Sequence, residues 1–192
     1  MFAYLEGKLT YKSPSLLHLD VNGVGYELNI SLHTYSHIQQ AGECRLYVHL
    51  QVREDAWVLY GFATEAERAT FRQLLGINGV GAATARIILS SLTPDELYRV
   101  IAQEDTRALE KVKGIGAKTA QRIILELKGK LELPQNTGTL SAAKHNTTAD
   151  DALIALVNLG ISKNIAEAAI KKVKDAPALS VEELIKQALR AL

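Results

Sequence analysis

Apolar and polar residues alternate at every second position in three segments near the start of the chain. These segments are residues 17–21, 24–30 and 46–52. Alternation with a period of two indicates β-strands that are buried on one face. Asn22-Gly23 separates the first two segments and is typical of a two-residue hairpin turn. Together with a closing strand over 57–62, about five short strands predict a small barrel of the OB type in residues 1–63.

Residues 64–133 instead carry apolar side chains at helical spacing, which predicts a domain of short helices. Thr64 and Glu67 have the spacing of a capping box at the start of one of these helices. Thr93 and Glu96 repeat that spacing at the start of another. The change of period near residue 64 therefore predicts a boundary between a β domain and an α domain.

The last part of the chain predicts a tethered helical module. Residues 134–148 are polar with few large apolar side chains, which predicts a flexible linker. Residues 149–192 contain three short helical segments with apolar inward faces, and Gly160, Ser162 and Ser180 lie at their predicted ends. The predicted fold is a multidomain α+β protein with an N-terminal OB-fold β-barrel, a central helical domain and a C-terminal three-helix bundle. The bundle is expected to dock on a partner.

A glycine motif occurs twice in the central domain, at an offset of 35 residues. Gly79 and Gly81 of the first copy correspond to Gly114 and Gly116 of the second, and a helix is predicted after each pair. Glycine permits positive φ and brings no Cβ, and a helix N-terminus offers unpaired N–H groups, so each copy suits a phosphate. Helix, glycine turn and helix in tandem resemble the helix-hairpin-helix motif in its non-sequence-specific DNA-binding form. The resemblance implies that the two copies hold a nucleic-acid backbone without reading bases.

Composition and charge indicate what kind of partner the chain binds and in which compartment it is expected. The net charge of the 192 residues is only +1, yet seven basic residues outnumber three acidic ones between residues 107 and 133, around the second motif. Such a cationic surface favours phosphate binding. Cys44 is the single cysteine, so no internal disulfide forms, and no apolar run reaches the roughly 18 residues of a membrane span. A reducing cytoplasm is the expected compartment.

The sequence contains no complete motif of the catalytic or metal-binding classes considered. Lys118 does not directly follow Gly116, so the phosphate-binding loop of nucleotide hydrolases is not formed. His33 and His37 have no carboxylate or cysteine at metal-ligand spacing, and no Gly-x-Ser-x-Gly motif is present. No catalytic residue, cofactor or metal is therefore expected. Two alternatives stay open: an enzyme that acts on damaged DNA through Lys128, and an adaptor whose glycine turns are only structural.

A pair of carboxylates, Glu54 and Asp55, is predicted at the tip of the hairpin that joins two barrel strands. Negative charge repels phosphates, so such a tip could hold DNA strands apart if it faced the DNA. A solvated turn that is acidic for no functional reason is the alternative, and the sequence leaves both open.

With its parts in this order, the whole chain resembles the RuvA family, which binds Holliday junctions. The resemblance rests on both glycine motifs and on segments 1–7, 52–56 and 60–62. It implies a cytoplasmic homotetramer, with one tetramer or two on the DNA. Such a scaffold holds a four-way junction open for branch migration in DNA recombination, DNA repair and the SOS response to DNA damage. It also implies two protein partners, the hexameric ATPase RuvB and the resolving nuclease RuvC.

The resemblance further implies roles for individual residues. Glu54 and Asp55 correspond to an acidic pin at the crossover. Leu156, Leu159 and Ile161 correspond to an apolar face that docks RuvB. The residues expected to contact the DNA backbone are Asn78, Gly79, Gly81, Arg86, Gly114, Gly116, Lys118 and Arg122.

One position departs from the family pattern. Familiar members carry a lysine shortly after the second glycine of the first motif, where this chain has Ala83. Either the first motif relies more on backbone amides, or Arg86, three residues later, substitutes for that lysine.

Overall fold

The computed structural model describes residues 2–39, 42–128, 148–173 and 179–192. Its contacts divide the chain into two compact units, residues 1–139 and 140–192. Within the described ranges, no helix combines the length and the apolar character that crossing a bilayer requires.

The first unit begins with a closed five-stranded barrel of the OB type. Its strands are β1 (Tyr4–Lys12), β2 (Leu16–Val21), β3 (Val24–Ile30), β4 (Gly42–Val52) and β5 (Trp57–Phe62). The order around the barrel is β1-β2-β3-β5-β4, with β3 and β5 parallel and the other neighbours antiparallel. Asn22 and Gly23 have φ of 53° and 85°, which confirms the predicted hairpin turn between β2 and β3.

β1 is the strand that the alternation pattern did not predict. Leu5 and Leu9 are buried, but the position midway between them is Gly7. A Cβ at Gly7 would lie 2.1 Å from the carbonyl oxygen of Asp20, so β1 and β2 can approach this closely only with glycine there. The register then shifts between Leu9 and Tyr11, which interrupts the alternation.

Six helices accompany the barrel in the described part of the first unit. They are α1 (Leu32–His37), α2 (Glu65–Leu75), α3 (Ala82–Ser91), α4 (Pro94–Ala102), α5 (Thr106–Glu110) and α6 (Ala117–Lys128). The capping box predicted at α4 is confirmed, because Thr93 Oγ1 accepts from the Glu96 N–H at 3.2 Å and the Glu96 carboxylate accepts from the Thr93 N–H at 2.8 Å. Residues 129–133, which the sequence predicts as the end of the last helix, lie outside the described residues.

The capping box predicted at α2 forms only in part. Thr64 Oγ1 accepts from the Glu67 N–H at 3.1 Å, but the Glu67 carboxylate is used elsewhere. It is completely buried and accepts hydrogen bonds from the hydroxyl groups of Ser31 and Thr34 and from the Ala63 N–H. Because a buried carboxylate needs such partners, Glu67 ties α2 to the start of α1 and to the end of β5.

The barrel and the helices share hydrophobic contacts at β5. The Phe71 ring of α2 lies 5.1 Å from the Tyr60 ring and 4.8 Å from the Phe62 ring, both in β5. The same core continues through the helices as Leu74, Ile88, Leu89, Leu97, Ile101 and Ile123. The hairpin that precedes β5 is therefore held in a fixed relation to the helical part of this unit.

The second unit is the predicted three-helix bundle. Its helices are α7 (Thr148–Asn158), α8 (Lys163–Lys172) and α9 (Val181–Arg190). Its core is small and rich in alanine: Ala152, Leu156, Ala166, Ala169, Leu184 and Ala188. Gly160 follows the end of α7 with φ of 92°, as a helix-terminating glycine does. Of the predicted linker, residues 134–147 lie outside the described residues, and Thr148 is the first residue of α7.

Candidate nucleic-acid interface

The first glycine turn joins α2 to α3. Ile77 and Val80 are buried, and the Val80 N–H donates to the Ile77 carbonyl at 3.0 Å, which closes a tight turn. Gly79 has φ of 91°. Gly81 is the N-cap of α3 in an extended conformation and has no side chain to bond the N–H groups of the first helical turn. The surface here is an open depression lined by residues 75–81.

The second glycine turn, between α5 and α6, repeats this geometry. Val112 and Ile115 are buried, and the Ile115 N–H donates to the Val112 carbonyl at 3.0 Å. Gly114 has φ of 88°, close to that of its counterpart in the first turn. The Ala120 N–H donates to the Gly116 carbonyl at 2.9 Å, and the matching bond in α3 has the same length. The repeated sequence is therefore also a repeated backbone conformation.

The four glycines are required for different reasons. Gly79 and Gly114 have left-handed φ, so the turn itself favours glycine at these positions. Gly81 and Gly116 do not have left-handed φ, and a Cβ at either would meet no atom within 4 Å. Neither backbone conformation nor packing within the chain accounts for this second pair. Their bare backbone leaves room for a group that approaches the helix N-terminus from outside.

Arg122 connects the two turns. It lies on α6, after the second glycine pair, and its Nη1 donates to the carbonyl of Asn78 in the first turn at 2.9 Å. Asn78, Lys118 and Arg122 are all exposed. The structure thus links the two motifs by the bond from Arg122 to Asn78, a contact that sequence spacing could not show.

Arg86 forms two hydrogen bonds that the sequence did not predict. Its Nη1 donates to the Ser15 carbonyl at 3.0 Å and to Asn29 Oδ1 at 2.9 Å, both in or beside barrel strands. These two bonds hold α3 on the barrel and favour a structural role for Arg86. Its contact with DNA in place of the lysine absent at Ala83 stays a prediction. Because Asn29 is 57 residues away in the chain, no local pattern signals this contact.

Positive charge on the second motif is solvent-exposed. Arg107, Lys111, Lys113 and Lys118 all lie on the surface around α5 and the start of α6. Lys128, at the end of α6, is exposed as well, and its ammonium forms an ion pair with Glu104. Hydrogen bonding to Lys128 lowers the pKa of the Glu104 carboxyl.

The predicted acidic tip is a tight turn between β4 and β5. The Arg53 N–H donates to the Ala56 carbonyl at 2.8 Å, which closes the turn around Glu54 and Asp55. Residues 52–57 are all exposed, so both carboxylates lie in solvent. The structure places them as the sequence predicted, on a strand pair that is anchored in the core at its other end.

The two histidines considered as metal ligands form a local pair. The His33 and His37 ring centroids are 4.2 Å apart. Burial lowers the pKa of His33, and the nearby Glu67 opposes this shift. Across residues 2–39, 42–128, 148–173 and 179–192, no three His, Cys, Asp or Glu side chains are grouped closely enough to hold a metal ion.

The three residues predicted to dock a partner have different degrees of burial. Leu156 is completely buried in the core of the second unit, so it is not part of an exposed face. Leu159 is 64% exposed, and Ile161 is half-buried. Because α7 turns its other side outward, two residues that the sequence prediction missed, Ile154 and Val157, are exposed as well. Their spacing of three residues is the signal that could have revealed them.

Comparison with known proteins finds matches along nearly the whole chain. Family models described as RuvA N terminal domain, SAM-like Helix-hairpin-helix tandem and RuvA, C-terminal domain match residues 1–61, 71–130 and 147–192. A protein of Christiangramia forsetii named Holliday junction branch migration complex subunit RuvA is 45% identical, with all of both chains covered. Proteins of the same name are 47% identical in Amoebophilus asiaticus, over 99% of this chain and 100% of the relative, and 44% identical in Neisseria meningitidis, over 100% and 99%.

Proposed function

This chain belongs to the RuvA family, and on that premise we propose that it binds four-way DNA junctions as a non-catalytic subunit of a branch-migration complex. The observation that supports this most directly is the pair Gly81 and Gly116. Both lie at helix N-termini in open space, and the fold gives no reason of its own for glycine there.

The proposed contact with DNA is made mainly by the backbone. The first N–H groups of α3 and α6 have no partner within their helices, and the positive ends of the helix dipoles lie beside them. Two phosphates of one duplex arm would bind there, one at each turn. Lys118 and Arg122 would add positive charge at the second turn, where both are exposed. Contacts of this kind position DNA without reading its sequence.

Selectivity for a junction would come from the acidic tip. Glu54 and Asp55 are exposed on a tight turn, and their charge disfavours phosphate nearby. In a homotetramer with four-fold symmetry, four such tips would meet at the crossover and keep the exchanging strands apart. The four arms would then lie on the glycine turns of the four subunits.

The second unit is proposed to recruit the motor. Its exposed apolar residues Ile154, Val157 and Leu159 offer a face to a protein partner, and a RuvB-type ATPase would supply the hydrolysis that drives branch migration. A RuvC-type nuclease would act at the same junction. Under this proposal the chain binds and orients DNA, and chemistry belongs to the partners.

The test compares a four-way junction with a linear duplex of the same arm sequence. We expect tighter binding to the junction and a steep loss of affinity with salt, by about 0.9 in log K per log salt for each duplex phosphate neutralised. A protein-interaction adaptor whose glycine turns are only structural would show no salt-dependent affinity for the junction. An enzyme on damaged DNA would cut strands or release bases without ATP. Either result contradicts the proposal.

A further inference from the structure

An exposed apolar pair lies directly below the acidic tip. Trp57 opens β5 and faces Val52, the last residue of β4, across the strand ladder. Trp57 is 76% exposed and Val52 is 61% exposed. Tryptophan is buried for most of its surface in ordinary folded domains, so an indole this exposed calls for an explanation. It is also the only tryptophan of the chain.

The indole projects from a paired strand next to a hydrogen-bonded turn. The turn above it is closed by the 2.8 Å bond from the Arg53 N–H to the Ala56 carbonyl, and Val52 and Trp57 pair in register. Arg53 turns toward Gln51, with Nη2 3.4 Å from Oε1, rather than over the indole. Among the described residues, no aromatic ring or cation stacks on Trp57. Its ring face is therefore available from solvent.

The surroundings favour a nucleobase over a protein partner. A fully covered indole buries about 250 Å² at most, whereas a stable protein interface buries about 800 Å² on each partner. A dry protein interface at this place would also desolvate Glu54 and Asp55, which lie three and two residues before Trp57. A base is neutral, so these carboxylates do not repel it as they repel phosphates. Stacking of bases on exposed aromatic rings is a general mode of binding unpaired strands.

We propose that Trp57 stacks on an unpaired base at the crossover of the bound junction. This rests on the proposed function, because the acidic tip must reach the crossover. There the carboxylates exclude the backbone of the separating strands, and the indole replaces part of the stacking that a base loses when its pair opens. The tip and the indole thus act on different parts of one nucleotide.

The emission of the single tryptophan reports this contact directly. The full-length protein is titrated with an unlabelled four-way junction while Trp57 emission is recorded, and binding is measured in parallel by anisotropy of a labelled junction. We expect emission to be quenched along the same curve as the anisotropy rises. A linear duplex, added until it is bound, should leave the emission unchanged.

Each other result is decisive. Junction binding with unchanged Trp57 emission overturns the stacking contact and leaves the proposed function standing, whereas absence of junction binding overturns both. An indole that is already protected from acrylamide in the DNA-free protein means that another copy of the chain covers it, and this too overturns the proposal.

Variants provide a second measurement. Trp57→Leu keeps an apolar side chain but removes the ring, and it should weaken junction binding by about five-fold to 150-fold, the range for loss of one stacked base. Trp57→Phe, which keeps a smaller aromatic ring, should lose less junction affinity than Trp57→Leu. Tyr11→Leu, which removes another exposed aromatic of the barrel, is the matched control. With 2-aminopurine at the crossover, the parent should quench its emission and Trp57→Leu should restore it. Equal affinities for Trp57→Leu and Tyr11→Leu would refute the stacking contact.

Discussion

The four glycines of the turns allow the fold and the phosphate contact to be separated by experiment. Gly79→Ala places a side chain at φ of 91°, a left-handed conformation that disfavours alanine by about 1–2 kcal/mol. In a unit of this size, that loss lowers Tm by roughly 2–8 °C. Gly81 has an extended backbone that alanine also adopts, and the Cβ of Gly81→Ala would have no atom within 4 Å. The Tm of this variant should therefore stay the same or rise slightly.

Junction affinity should respond in a different order. At Gly81 the new Cβ would occupy the space through which a phosphate approaches the first N–H groups of α3. A hydrogen bond to a charged group contributes about 1.5–3 kcal/mol, so its loss should weaken binding by about 10-fold to 150-fold. Gly116→Ala should do the same at α6. The double variant should bind more weakly than either single one.

The assay is thermal unfolding and junction anisotropy on the same preparations. Gly25→Ala is the matched control, because Gly25 lies on barrel strand β3 and a Cβ there also meets nothing within 4 Å. Gly81→Ala with the junction affinity of Gly25→Ala would refute the backbone grip. Gly81→Ala with the Tm of Gly79→Ala would show that both glycines are needed only for the turn.

Four further outcomes follow from the contacts of single residues. Arg86→Gln should lower the unfolding free energy by about 1–3 kcal/mol and leave the salt dependence of DNA binding unchanged, since Arg86 bonds the barrel; a slope smaller by about 0.9 would contradict this. Replacing Glu54 and Asp55 with Gln and Asn should preserve or tighten junction binding while altering branch migration, and loss of binding in a gel shift would mean that the pair is structural. Burial and two nearby arginines lower the pKa of His49, so the unfolded chain takes up the proton more readily and stability should fall as pH drops through about 6.5. The unfolding free energy of His49→Gln, measured with urea, should depend less on pH than that of the parent. The same pH dependence in both proteins would exclude this histidine as the cause. Leu159→Asp should keep the Tm and the junction affinity of the parent yet abolish stimulation of a RuvB-type ATPase, and full stimulation would move the docking face elsewhere.

Local sequence signals predicted the local structure well. The hairpin at Asn22-Gly23 and the capping box of Thr93 and Glu96 form as predicted, because neighbours in the chain supply every group involved. Each glycine turn likewise depends on one short segment. The barrel strands with regular alternation were predicted, and β1 was not, because Gly7 and a register shift break its pattern.

Long-range contacts were the part that the sequence could not show. Glu67 has the spacing of a capping residue, but its buried carboxylate accepts hydrogen bonds from three donors outside α2. Arg86 was predicted as a phosphate contact, and its hydrogen bond to Asn29 of the barrel could not be read from the sequence; its contact with DNA stays a prediction. Leu156 has the helical phase of the bundle core, which places it inside rather than on the docking face. The contacts of Asn78 and Arg122 with DNA stay a prediction.

The aromatic contacts between Phe71 and β5 have a mechanical consequence. Strand β5 starts at the hairpin and ends against Phe71, so packed side chains connect the strand behind the acidic tip to α2, the helix that leads into the first glycine turn. If a motor pulled one duplex arm across the glycine turns, force on that arm would reach the tip through these packed side chains. The more firmly these side chains pack, the more of the work done on the arm would move the DNA and the less of it would bend the subunit.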